Sequence, residues 1–114
     1  MRFYKDKLGI NDLKIESDKH VIADFFSSDI QGSTYNLNVS VEACKAVANH
    51  EITEWEGTGN AHTVTIKPDG VSIENVYTYD EIRLSSIAEF EWYLKQWEKL
   101  ITTGEEFTIE SPFK

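Results

Sequence analysis

Between Ser86 and Thr102 the apolar residues recur every three or four positions. Ile87, Phe90, Leu94, Trp97 and Ile101 form one stripe, widened by Tyr93 and Leu100. That period matches a single face of an α-helix. Ser86-Ile87-Ala88-Glu89 makes a capping box, in which the serine hydroxyl accepts from the amide three residues on and the glutamate returns the bond. Glu91 and Lys95 pair at i,i+4 on the polar side, and Gly104 stands where a left-handed C-cap is wanted. The pattern predicts a core-facing helix from about Ser86 to Thr102.

Upstream of that helix the period changes to two. His62, Val64 and Ile66 alternate with Thr63, Thr65 and Lys67, and Pro68-Asp69-Gly70 then supplies a turn. Val71, Ile73 and Tyr77 continue on a return strand, with Ser72 and Glu74 opposite. This predicts a hairpin with one apolar face and one wet face. Ile82 and Leu84 predict a short third strand, and Phe107 with Ile109 a terminal one. Tyr35, Leu37, Val39 and Val41 form another period-two run and read as a strand. Val21, Ala23 and Phe25, alternating with Ile22, Asp24 and Phe26, read as a further, more buried strand. Residues Glu42 to His50 have helical composition, with Val41, Cys44, Val47 and Ala48 on one face. A short helix near residues 42–50 is preferred there to a continuing strand, and Gly57-Thr58-Gly59-Asn60 reads as a loop. Strands followed by one long C-terminal helix imply an α+β fold, a mostly antiparallel sheet covered on one face by that helix.

Length and composition fit this picture. A chain of 114 residues, 40% hydrophobic and 12% aromatic, is expected to form one domain over residues 1–114 with a core of its own. The single Cys44 excludes an intramolecular disulfide and points to a reducing compartment. Charges begin at Arg2 before any apolar run of signal-peptide length, and no window has the apolar length of a membrane span. The expectation is a cytoplasmic protein.

Charge changes the picture more than composition does. Twenty acids against eleven bases give −9, and the excess is uneven. Residues 42–81 hold Glu42, Glu51, Glu54, Glu56, Asp69, Glu74, Asp80 and Glu81 against Lys45 and Lys67, a local balance of −6. Such a field favours a basic protein partner and disfavours nucleic acid or an anionic membrane. Aromatics accompany the acids. Trp55 lies between Glu54 and Glu56, and Tyr77 and Tyr79 precede Asp80 and Glu81. Trp55 reads either as packed under the sheet with its acids in water or as an interface anchor, since aromatics ringed by charge are common hot spots. The tyrosine cluster reads equally as a solvated loop or a binding surface.

Catalytic and metal chemistry find little support in the residues. His50-Glu51 opens like a zinc-protease helix, but Glu54 stands where the second histidine is required. His20 and His62 are far apart, Cys44 lies among alanines as an inert thiol would, and no glycine-flanked nucleophile elbow occurs. Gly57-x-Gly59 lacks the third glycine and the strand-to-helix setting of a phosphate cradle. The expectation is no catalytic residue, no metal and no cofactor.

The run from His62 to Ile101 combines a hairpin with a Pro-Asp-Gly turn, a short strand and Leu84-Ser85-Ser86-Ile87-Ala88-Glu89-Phe90 opening a helix with Trp97 near its end. With the small size and acidity, it resembles immunity proteins of bacterial polymorphic-toxin and contact-dependent growth inhibition systems. The resemblance covers about a third of the chain and transfers no residue-level motif. It implies a role: an antitoxin that binds and occludes a cognate toxin domain, often a basic nuclease. On that reading Glu54, Trp55, Glu56, Glu74, Tyr77, Tyr79, Asp80 and Glu81 face the partner. Two other classes compete. One is a small hydrolase or transferase, favoured by a deep pocket lining His50 or His62 with a carboxylate. The other is a non-catalytic subunit of a larger assembly.

Overall fold

The computed structural model describes residues 1–113. The capping serine and the apolar stripe of the C-terminal segment act as expected. Helix α3 spans Ile87–Thr103, Ser86 accepts from the Glu89 amide, and Gly104 closes the helix at φ 72°. The capping box is displaced by one residue. Glu89 Oε1 accepts from the amide and hydroxyl of Ser85 (3.0 and 3.1 Å) rather than from Ser86.

The hairpin also forms. Strand β4 (His62–Lys67) pairs antiparallel with β5 (Gly70–Asn75), and β6 (Glu81–Leu84) pairs with β5. Strand β3 (Trp55–Thr58) adds to the other side of β4, giving the order β3-β4-β5-β6. Gly57 and Thr58 are therefore strand residues and not loop. Trp55 makes this possible, because its ring lies over Gly57, where a Cβ would come within 2.3 Å of Cη2. Tyr77, expected on the return strand, falls beyond it. The Asn75 side chain accepts from the amides of Tyr77 and Thr78, turning the chain before the strand can continue.

Two expected strands are helices. Helix α1 (His20–Phe25) runs on into a wider turn over Phe26–Ile30. Its buried residues are Val21, Ile22, Phe25, Phe26, Asp29 and Ile30, adjacent pairs repeating at intervals of four. Helix α2 (Thr34–Ala48) starts from Ser33, whose hydroxyl accepts from Asn36 N at 3.1 Å. The helix expected near 42–50 is its second half. Leu37, Ser40, Cys44 and Val47 make the buried face, while Tyr35 and Val39 lie exposed. Leu37 apart, the apparent alternation came from residues on or beside the outer face. The helix ends in a Schellman pattern: His50 takes φ 62°, its amide bonds to Val47 O, and the Glu51 amide bonds to Ala46 O.

A second antiparallel sheet, ordered β2-β1-β7, joins β1 (Arg2–Lys5), β2 (Asn11–Lys14) and β7 (Phe107–Thr108). Phe3 stacks on Phe107 with ring centroids 4.9 Å apart. The fold is α+β. Helices α2 and α3 touch each other and cover the inner face of the larger sheet, where His62, Val64, Ile66, Val71, Ile73 and Leu84 are buried. Among the described residues no helix is long and apolar enough to cross a membrane.

Cys44 sits wholly inside this core. Burial, aided by the charge of Glu91, pushes its thiol up to about 12. At pH 8 the thiolate is then on the order of one molecule in ten thousand. Alkylation by iodoacetamide at pH 8 should therefore proceed only as fast as the protein opens, and mass spectrometry would follow it. Labelling of the native protein at the rate of a free thiol would contradict this placement of Cys44.

Candidate acidic face and a buried aspartate-histidine pocket

Alternation along β3 to β6 sends every second side chain to the outer face of the larger sheet. Two cross-strand rows result: Glu56, Thr65, Ser72 and Arg83, and beside it Thr58, Thr63, Glu74 and Glu81. Thr58 and Thr63 share a hydroxyl hydrogen bond of 2.8 Å, and Arg83 Nε donates to Glu81 Oε1 at 3.0 Å. Glu74 and Glu81 stand directly opposite each other, an arrangement of like charges that costs stability. Glu54 and Asp69 line a depression at one end of this face with Lys67 and Arg83. Five acids and two bases thus share one face, whose centre is threonine and serine.

The expected partner-facing residues are only partly gathered here. Glu56, Glu74 and Glu81 are on the face, and Glu54 is at its rim. Trp55 is not, because it pairs with Ile66 and projects to the opposite side, half-buried against α2. Tyr77 and Tyr79 sit on the β5–β6 turn, 74% and 76% exposed, with Tyr79 at φ 65°. Asp80 in the same turn is tied to α1, since His20 Nε2 lies 3.2 Å from its carboxylate. His20 Nδ1 lies 2.9 Å from Ser17 O. The Ser17 carbonyl and then Asp80 reward the doubly protonated ring, so the His20 value is raised.

A second constellation joins residues that no spacing in the sequence connects. Asp29 closes the turn after α1, and His62 opens β4 on its inward face. Asp29 Oδ1 accepts from Ala61 N (3.2 Å) and contacts His62 Nδ1 (3.0 Å), while Oδ2 accepts from His62 N (3.0 Å). Both side chains are buried, with His62 1% exposed. Gly59 explains itself here, because a Cβ would lie 2.6 Å from Asp29 Oδ2. Nδ1 faces the carboxylate, and among the described residues no group bonds to Nε2, which is itself closed to water. His62 and Asp29 line a cavity of about 310 Å³ under β3, shared with Phe25, Ser40, Trp55 and Val64. His50, by contrast, is exposed in the cap of α2 and takes no part.

The arrangement offers a carboxylate-oriented imidazole beside apolar walls. Among the described residues no group of three or more His, Cys, Asp and Glu side chains could hold a metal ion. Compared with family models, with curated proteins and with solved structures, the chain shows no significant match to any of them.

Proposed function

We propose that this chain is an inhibitory binding protein of the immunity type, an antitoxin that occludes a basic, nuclease-type toxin domain with the outer face of β3–β6. The observation that carries the reading is the set Glu54, Glu56, Asp69, Glu74 and Glu81 around one wet sheet face, opposed among the described residues by Lys67 and Arg83 alone. Acids so placed can cover a site built for phosphates and speed encounter with it. The Glu74–Glu81 pairing, which Arg83 neutralises only on the Glu81 side, adds to the case, since a cationic partner would reduce the repulsion that remains. Tyr77 and Tyr79 at the end of the sheet supply aromatic contact area, while Trp55 lies outside this surface.

The test is the rate of complex formation with any toxin domain found encoded beside this chain. Glu56→Lys with Glu74→Lys should slow association about tenfold or more at low salt, and salt should erase most of that difference. Glu98→Lys, on the exposed side of α3, should leave it unchanged. Unchanged association for the double variant would remove the sheet face from the interface. Absence of binding to any neighbouring toxin, and of protection in cells, would end the immunity reading.

A second reading, a small hydrolase or transferase, draws on the Asp29–His62 pair in its cavity with Ser40. Its weakness is access, because Nε2 is sealed from water. A folded His62→Gln protein that still protects cells would set it aside.

A further inference from the structure

We infer that the free edge of β3 is a docking site for an extended segment of a protein partner, one whose apolar residues alternate with Lys or Arg. The segment adds to the larger sheet as a further strand. This stands apart from the immunity reading, because it needs the edge of the sheet and not its outer face. In the order β3-β4-β5-β6, β3 bonds to β4 on one side and, among the described residues, to no strand on the other. The Gly59 amide bonds to His62 O, which sets the phase of the antiparallel ladder. Trp55 and Gly57 therefore turn their backbone groups toward β4, while Glu56 and Thr58 turn theirs away from it. Among the described residues no backbone group outside the sheet bonds to Glu56 or Thr58. No proline or bulge blunts this edge, and the charges along it are those of Glu54 and Glu56.

What lies on either side of the edge decides the class of partner. Side chains of an added strand alternate as those of β3 do, every second one pointing inward. Inward they meet two clefts of about 310 and 470 Å³ between α2 and β3, joined at Val39 and Trp55. Tyr35, Val39 and Ile52 are exposed in the second cleft, an apolar surface that the protein leaves uncovered. Outward they meet Glu54 and Glu56, both exposed, with Thr58. Apolar residues alternating with basic ones satisfy both sides at once. A second copy of this chain fits badly, since it would bring its own Glu54 and Glu56 to an acidic rim.

The probe is a blocked heptapeptide alternating valine with lysine, titrated into the full chain and followed by amide spectra. The expected result is shifts from Trp55 to Thr58 and around Val39 and Ile52, with hydrogen exchange slowed at the Glu56 and Thr58 amides. A peptide of the same residues in block order should bind about tenfold more weakly, and so should the alternating peptide N-methylated throughout. Thr58→Pro removes one outward amide without touching a charge, on an edge where proline is tolerated. It should weaken the alternating peptide by about threefold to tenfold. Equal binding of the N-methylated peptide would show charge attraction without strand pairing, and would overturn the proposal. Shifts confined to Thr63, Thr65, Ser72 and Glu74 would overturn it too, while leaving the acidic-face reading intact. Sedimentation of the native protein as a dimer that Thr58→Pro dissociates would give the edge to a second copy instead. Absence of any shift would end the proposal. If Thr58→Pro does not fold, the N-methylated peptide on the native chain decides alone.

Discussion

Trp97→Ala is expected to destabilise the fold by about 3–5 kcal/mol, the usual cost of removing a buried large aromatic. The side chain is fully buried and stacks on Phe26 with centroids 4.9 Å apart and planes within 9°. It also performs a second task. Its Nε1–H donates to Gln31 O at 2.8 Å, and Gln31 holds φ 54°, a left-handed angle that costs a non-glycine residue energy. The Gln31 amide bonds to Phe26 O, so the indole clamps the point where the wide turn after α1 reverses toward α2. Trp97→Phe should keep most of the stacking and lose the clamp, for about 1–3 kcal/mol. Denaturant unfolding of both variants would separate the two contributions. A loss near zero for Trp97→Phe would mean the hydrogen bond contributes nothing and Gln31 is held by other groups. Against a total stability of roughly 5–15 kcal/mol, the alanine variant would stand near the limit of folding.

What could be read in advance follows from where the signals lie. Helix α3 and the β4–β5 hairpin are specified by near neighbours: a capping serine, a stripe at helical spacing, a Pro-Asp-Gly turn. Those signals are local, and the structure keeps them. Helix α1 and the first half of α2 read as strands because alternation is an ambiguous sign when apolar residues also sit on an exposed face. Tyr35 and Val39 complete a period-two run only because α2 leaves them in water. The better signals were Ser33 as N-cap and the 37, 40, 44, 47 spacing. The strand β1 pairs with β7 across most of the chain, and nothing within Arg2–Lys5 announces that partner.

The candidate site divides along the same line. The acidic face was legible as a charge excess, and strand alternation then sorts its members, keeping Glu56, Glu74 and Glu81 together and sending Trp55 to the other side. The Asp29–His62 pair was not legible, since thirty-three residues separate the two and neither lies in a motif. Gly59 was the nearest thing to a sign. Its lack of a side chain is required by Asp29 and not by the flexibility of a loop.

That pair carries the other large effect. Asp29→Ala should cost about 3–5 kcal/mol, because it leaves the His62 ring and the amides of Ala61 and His62 without their acceptor in a buried setting. Asp29→Asn keeps the shape and one carbonyl oxygen. Its NH2 only donates, so at one of the two former oxygen positions a donor meets a donor, and it should recover only part of the loss. His62→Phe removes the ring donor but leaves Asp29 with its two backbone amides, and should cost less than Asp29→Ala. The cycle built from Asp29→Ala, His62→Phe and the double variant measures the coupling. The double variant should be less destabilised than the summed singles by at least about 1 kcal/mol, since part of each single loss is the stranding of the same partner. Additivity within about 0.5 kcal/mol, the value for independent sites, would show that carboxylate and ring act separately. The orienting role given to Asp29 would then fail, and with it the fixed direction of Nε2.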